Sequence, residues 1–308
     1  MGVHFEPPGG ARDFPMIGRF FLSATLAVLA APALACGPDA LGVARELPVG
    51  GGVAVGLKTY PRTLALADKE LVLTFDDGPN PPTTAKVLDA LKAECVKATF
   101  FLIGKNAESA PAMVKREIAE GHTIAHHSYS HPAVTLRNLP LEAAKADVDR
   151  GMEQDDKAAF GAWSGQTRSP FFRYPGFGDS PALNDWLQKR GVSLFGADLW
   201  ASDWLPMSAD QELKLLLARI QKQRKGIVLM HDIKKNTAEM LPRLLRELKK
   251  RGYKIVHIVP GPAAPALASA PAGWFSETER ALAHTWPKAP PGMGAAAAGK
   301  AKAAPGPL

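Results

Sequence analysis

From Leu71 to Val259 the chain alternates short apolar runs with amphipathic stretches, and this rhythm restricts the fold more than any other feature. "LVLTF", "KATFFLIG", "HTIAHH", "VSLFGA", "GIVLMH" and "YKIVHIV" have the length and continuity of strands buried on both faces. Between them "TTAKVLDALKAE", "SAPAMVKREIAEG", "LEAAKADVDRGMEQDDKAAF", "SPALNDWLQKRG", "ADQELKLLLARIQKQRKG" and "TAEMLPRLLRELKKRG" repeat apolar residues at helical spacing. Several open on Thr, Ser or Pro and end at Gly121, Gly191, Gly226 or Gly252, as helix capping requires. Such alternation calls for an α/β fold: a parallel sheet with helices outside, open or closed into a barrel.

The flanks follow other rules. "MIGRFFLSATLAVLAAPALAC" sets Arg19 before an apolar run, with Ala33-Leu34-Ala35 ahead of Cys36, so residues 1–35 are expected to be a signal peptide, with Met16 a candidate true start. Pro32 breaks the run short of the ~20 apolar residues of a membrane span, leaving an N-terminal anchor as the lesser alternative. The mature chain is then secreted or periplasmic, with no stable membrane span after cleavage. In that oxidising compartment its two cysteines, Cys36 and Cys95, are expected to pair, ahead of lipidation of Cys36 or two free thiols. Residues 36–69 read as a lead-in with weak strands ("GGVAVGL", "TLALA"), 70–260 as the single catalytic domain, and 261–308 as a Pro/Ala-rich, largely disordered tail. Within that tail "WFSETERALAHTW" has at most the makings of a short helix.

With 46% hydrophobic and 22% charged residues, 308 residues can bury a sizeable core. The net charge of +7 suits contact with anionic envelope polymers. Nucleic acid is not expected as a partner: export argues against it, and no basic stripe interleaved with aromatics occurs. Oligomeric state cannot be read from these features.

In a parallel α/β fold the residues just after strand C-termini share one face, where active sites assemble. Those ends deliver Asp76 and Asp77, then His127 with His131 four residues on, then Arg173, then Asp203 and Trp204, then His231 and Asp232. Two imidazoles and one carboxylate make a catalytic metal set with open positions, while a second carboxylate stays free as general base. His231, presented from the far side, is the candidate general acid.

"TFDDGPN", "HSYSH", "RYP", "SDW" and "LMH", in that order over about Glu70 to Pro260, resemble the polysaccharide deacetylase family, the NodB homology domain of carbohydrate esterase family 4. The resemblance implies a distorted (β/α) barrel, commonly of seven strands. It implies metal ligation by Asp77, His127 and His131, usually of Zn²⁺ and sometimes of Co²⁺ or another divalent ion. Asp76 is similar to the general base, Arg173 to the residue orienting it, His231 to the general acid and Asp203 to the holder of its imidazole. Trp204 and Leu229 resemble the walls of the acetyl pocket, and Tyr174 and Pro175 join the substrate-binding set. Three positions depart from the family pattern: "RYPGFG" carries an added Gly176 before Phe177, Trp200 stands where an Asp is common, and His126 stands where Asn is common. Asp198 and His126, with His122 and His257, read as supporting or core residues. The expected activity is hydrolysis of N-acetyl groups on N-acetylglucosamine glycans such as peptidoglycan or chitooligosaccharide. The alternatives are O-acetyl ester hydrolysis on cell-wall or xylan sugars and a catalytically silent glycan-binding envelope protein.

Overall fold

The computed structural model describes residues 1–4, 37 and 39–285. Three short strands, β1 (Arg45–Val49), β2 (Ala54–Val55) and β3 (Arg62–Leu64), precede the wholly buried β4 (Glu70–Asp76). There follow α1 (Pro81–Ala93), β5 (Thr99–Leu102), α2 (Gly104–Ser109), α3 (Pro111–Ala119), β6 (Thr123–His126), α4 (Leu141–Phe160), β7 (Phe171–Phe172), α5 (Pro181–Lys189), β8 (Ser193–Phe195) and β9 (Leu199–Trp200). The chain continues with α6 (Ala209–Gln223), β10 (Gly226–His231), α7 (Lys235–Lys250), β11 (Lys254–Pro260), β12 (Leu267–Ser269) and α8 (Glu277–Thr285).

Strands β4 to β8 pair in sequence order and in parallel, and β10 joins β4 on one side and β9 on the other. These seven strands form the distorted (β/α) barrel; among the described residues no ladder links β8 to β9. The run "YKIVHIV" stands apart from the ring, because β11 pairs only with the first two residues of β4 and then with β1. Two ring members, β7 and β9, are two residues long. A pattern of period two cannot be recognised over such lengths, so neither is among the runs read as strands, although Arg173 and Asp203 were placed at strand ends.

Strand parity sorts the core into two layers. Leu71, Leu73 and Phe75 of β4 pack outward with Leu88, Leu91, Leu241 and Leu245 of the helices, whereas Val72 points inward with Phe101, Phe171, Phe195 and Ile227. The same alternation turns Asp76 inward at the strand's end. β10 repeats the arrangement, with Ile227 inside and Val228 and Met230 outside, so His231 arrives on the inner side.

The flanks differ from their sequence reading. The lead-in enters the main sheet, as β1 pairs β11 and β2 pairs β8. Residues 267–285, expected within a disordered tail, are structured: β12 lies antiparallel to β3, the Trp274 indole donates to Leu57 O at 2.6 Å, and the Thr278 backbone N–H donates to Lys58 O at 3.1 Å. Average composition concealed a few anchors, among them Thr278 and Leu282, both buried. The signal-peptide reading falls, beyond residues 1–4, outside the described residues, as do 286–308. Cys95 carries no free thiol, but Cys36, its expected partner, also lies outside the described residues. Among the described residues no helix is long and apolar enough to cross a membrane.

Candidate active site

At the end of β4 two adjacent carboxylates are sent in different directions. Asp76 is the last strand residue and 2% exposed, while Asp77 takes a left-handed backbone with φ 73°. That conformation is costly for a residue with a Cβ and collects at functional sites. The turn is held from two sides: Asn106 of α2 donates to Asp77 O at 2.8 Å, and Gly78 lies so close to Asp232 that a Cβ there would overlap the carboxylate.

Arg173 is fully buried and binds Asp76 Oδ1 through Nη1 at 2.6 Å. The same guanidinium donates to Thr74 Oγ1 at 2.9 Å, Gly196 O at 2.9 Å and Phe195 O at 3.3 Å, and it lies over the Phe101 ring at 4.1 Å. A lysine could not reproduce this fork. Burial raises the Asp76 carboxyl above its ordinary range, and Arg173 and His231 limit that rise.

Asp77 faces the two imidazoles. Its Oδ1 is 3.4 Å from His127 Nε2 and 3.5 Å from His131 Nε2, and the three ligand atoms lie within 4.8 Å of one another. His127 Nδ1–H donates to Arg173 O at 2.7 Å, since a carbonyl can only accept, and this leaves the Nε2 lone pair directed at Asp77. Burial, then the neighbouring His131, pushes His127 down to about 3, so it is neutral and able to ligate. His127 and His131 meet across a tight loop: Ser128 and His131 have φ 66° and 48°, and Ser128 Oγ accepts the His131 backbone N–H at 3.1 Å. Gly151 of α4 lets that helix pass against the backbone of Ser128 and Tyr129, where a Cβ would overlap. Asp77 Oδ1 is buried without a hydrogen-bond partner among the described residues. An orphaned carboxylate oxygen facing two imidazole nitrogens fits a divalent cation, because it supplies the compensation that buried charge requires.

Opposite stands His231. Its Nδ1 lies 2.8 Å from Asp203 Oδ1, and its backbone N–H donates to Asp203 Oδ2 at 2.7 Å. Burial works against charge on this imidazole, yet Asp203, with Asp77 and Asp76 beyond it, raises it to about 10. Burial likewise opposes charge on Asp203, but His231 and Thr237 hold its carboxyl below the usual range.

These groups surround a cavity of about 180 Å³ lined by Asp76, Asp77, His127, His131 and His231, with Tyr174, Gly176, Phe177, Trp204, Leu229 and Lys234. Of the expected pocket residues, Trp204, Leu229 and Tyr174 line it. Pro175 instead lies buried in the turn, and Gly176 and Phe177, both with φ 56°, line the cavity. Strand parity settles the double histidine: His126 points outward to Asp155 at 2.8 Å and Thr167 at 2.6 Å, so both its nitrogens are engaged away from the cavity. Asp198 receives Leu57 N–H, Ile227 N–H and the Thr63 hydroxyl, a structural role.

The family model for polysaccharide deacetylase matches residues 64–193. A peptidoglycan-N-acetylglucosamine deacetylase from Bacillus cereus is 34% identical over 209 residues, covering 64% of this chain and 72% of the relative. The chain belongs to the polysaccharide deacetylase family. Another member of this deacetylase family, the peptidoglycan-N-acetylglucosamine deacetylase PgdA of Listeria monocytogenes, is 36% identical over 198 residues, 63% of this chain and only 39% of the relative. Among solved deacetylase structures, a Bdellovibrio bacteriovorus peptidoglycan deacetylase superposes with a TM-score of 0.61 at 33% identity, covering 70% of this chain and 58% of that one.

Three contributors to the site lacked a local sequence signal: Lys234 at the cavity rim, and Glu212 and Thr237 behind Asp203. The last two sit within ordinary amphipathic helices, and only packing of α6 against α7 brings them together.

Proposed function

We propose that this protein is an exported, metal-dependent deacetylase that hydrolyses N-acetyl groups of N-acetylglucosamine-containing glycans, peptidoglycan foremost, to free amine and acetate. The reading is carried by one observation: a complete ligand set, a buried carboxylate with its arginine and a carboxylate-held imidazole converge on one cavity. Asp77, His127 and His131 would hold the cation, Zn²⁺ by donor type, with Co²⁺ or another divalent ion able to replace it. When bound, such an ion polarises the carbonyl and lowers the pKa of water toward ~7.

The chain's own residues divide the proton work. Asp76 Oδ2, the oxygen not engaged by Arg173, takes the proton of the attacking water, and Arg173 keeps that carboxylate oriented. His231, held through Nδ1 by Asp203, delivers a proton from Nε2 to the leaving nitrogen. Leu229 and Trp204 form the apolar wall for the acetyl methyl, and Lys234 sets a cation at the rim, suited to a carboxylate-bearing glycan. The relatives named as peptidoglycan deacetylases and the signal-like N-terminus support an envelope substrate.

Acetate release should be measured on peptidoglycan, chitooligosaccharides and acetylxylan, with bound metal determined on the same sample. Release from the first two supports the proposal, and release from acetylxylan alone moves it to ester hydrolysis. Binding without release from any of them makes the protein a glycan-binding one.

A further inference from the structure

Behind the His231–Asp203 pair lies a second fully buried carboxyl, Glu212, in the first turn of α6. Its Oε2 accepts Asn236 Nδ2 at 2.6 Å, and its Oε1 lies 2.9 Å from Thr237 Oγ1. The same Thr237 hydroxyl lies 2.7 Å from Asp203 Oδ2. A hydroxyl has one proton to donate, so it cannot satisfy two ionised carboxylates at once. Asp203 already receives the ring and backbone N–H groups of His231, which stabilise its charge. Glu212 has one neutral amide. The extra proton therefore belongs on Glu212 Oε1, which donates to Thr237 Oγ1, leaving the Thr237 proton for Asp203.

We propose that Glu212 is a positioning residue: its protonated carboxyl orients the Thr237 hydroxyl onto Asp203, which in turn sets His231, and ionisation of Glu212 withdraws that hydroxyl and weakens the acid. This rests on the reading of His231 as general acid. The groups facing Glu212 are Asp203 from the loop after β9, His231 from β10, and Asn236 and Thr237 from α7. Burial, then the Asp203 charge, raises the Glu212 carboxyl to about 8. The N-terminal turn of α6 pulls the other way, but a helix terminus contributes much less than the cost of burying an ion.

The test uses the metal-loaded full chain and an N-acetylglucosamine oligomer, with kcat and KM followed from pH 6 to about 10. In wild type kcat should fall through a transition near the Glu212 value. Glu212→Gln, whose amide can still donate to Thr237, should keep kcat within about threefold at pH 7 and lose that transition. Glu212→Leu and Thr237→Val should each lower kcat about tenfold with KM little changed, and Glu212→Gln should add nothing on the Thr237→Val background. A readout that needs no turnover is the proton NMR signal of His231 Nδ1–H, expected to shift with the Glu212 transition in wild type and not in Glu212→Gln. Superimposable pH profiles and NMR titrations of wild type and Glu212→Gln would overturn the proposal, as would full kcat in Thr237→Val. If wild type releases no acetate, the reading of His231 falls, and the NMR titration alone decides the Glu212 link.

Discussion

The two sides of the cavity treat their charges in opposite ways. On the Asp77 side the ligand atoms are turned toward one another, with an orphaned buried oxygen between two imidazole nitrogens. On the His231 side the polar groups form a chain, His231 to Asp203 to Thr237 to Glu212 to Asn236, each joined to the next at 2.6–2.9 Å. The first side turns three ligand atoms toward one point, a donor set that suits a cation. The second is complete in itself. A chain of hydrogen bonds closed among the protein's own groups holds a group in a fixed orientation before substrate arrives.

Asp76 is the residue to break first, since it stands between the two sides. Asp76→Asn should lower kcat by about 10²–10⁴ while metal content is retained, because on the proposed roles the base is lost and the ligands are not. Acetate release and elemental analysis on one sample check this, and equal metal loss in Asp76→Asn and Asp77→Asn would collapse the division of roles. Next comes the cation already built into the fold: Arg173→Met leaves Asp76 buried without its partner and should cost about 3–5 kcal/mol in denaturant unfolding.

Metal linkage sharpens the contrast further. Cation at 100 times its Kd should stabilise wild type by about 2.7 kcal/mol, an increment lost with chelator and in Asp77→Asn but kept in Asp203→Asn. The last comparison concerns Glu212, whose folded pKa of about 8 lies above its ordinary 4.5. A raised carboxyl favours the folded state fully below the ordinary value, and that contribution is lost as pH climbs through the folded value. Wild type should thus lose stability between pH 4.5 and 8 relative to Glu212→Gln, as paired unfolding curves across that window would show.

Much of the cavity was legible because strand ends announce themselves. An apolar run that stops at "DDG" or "HHS" places polar side chains where a parallel barrel gathers them, whatever the loops do afterwards. Which way each neighbour turns was less legible. His126 and His127 are chemically identical, and only strand parity sends one to Asp155 and the other to Asp77. Asp77 departs even from parity, through its left-handed backbone. The structured strap of β12 and α8 was hidden by its composition, and in the turn after β7 it is Gly176 and Phe177, not Pro175, that line the cavity.

The sequence by itself determined the α/β alternation, the strand-end residues and the donor types that suit a divalent cation, since these depend on local periodicity and side-chain chemistry. Only the tertiary structure decided that β11 leaves the ring, that His126 turns to Asp155 and that Glu212 meets Thr237 behind Asp203. Those facts depend on groups that lie tens of residues apart and meet only when the barrel forms. A pairwise distance carries no local signature in the chain.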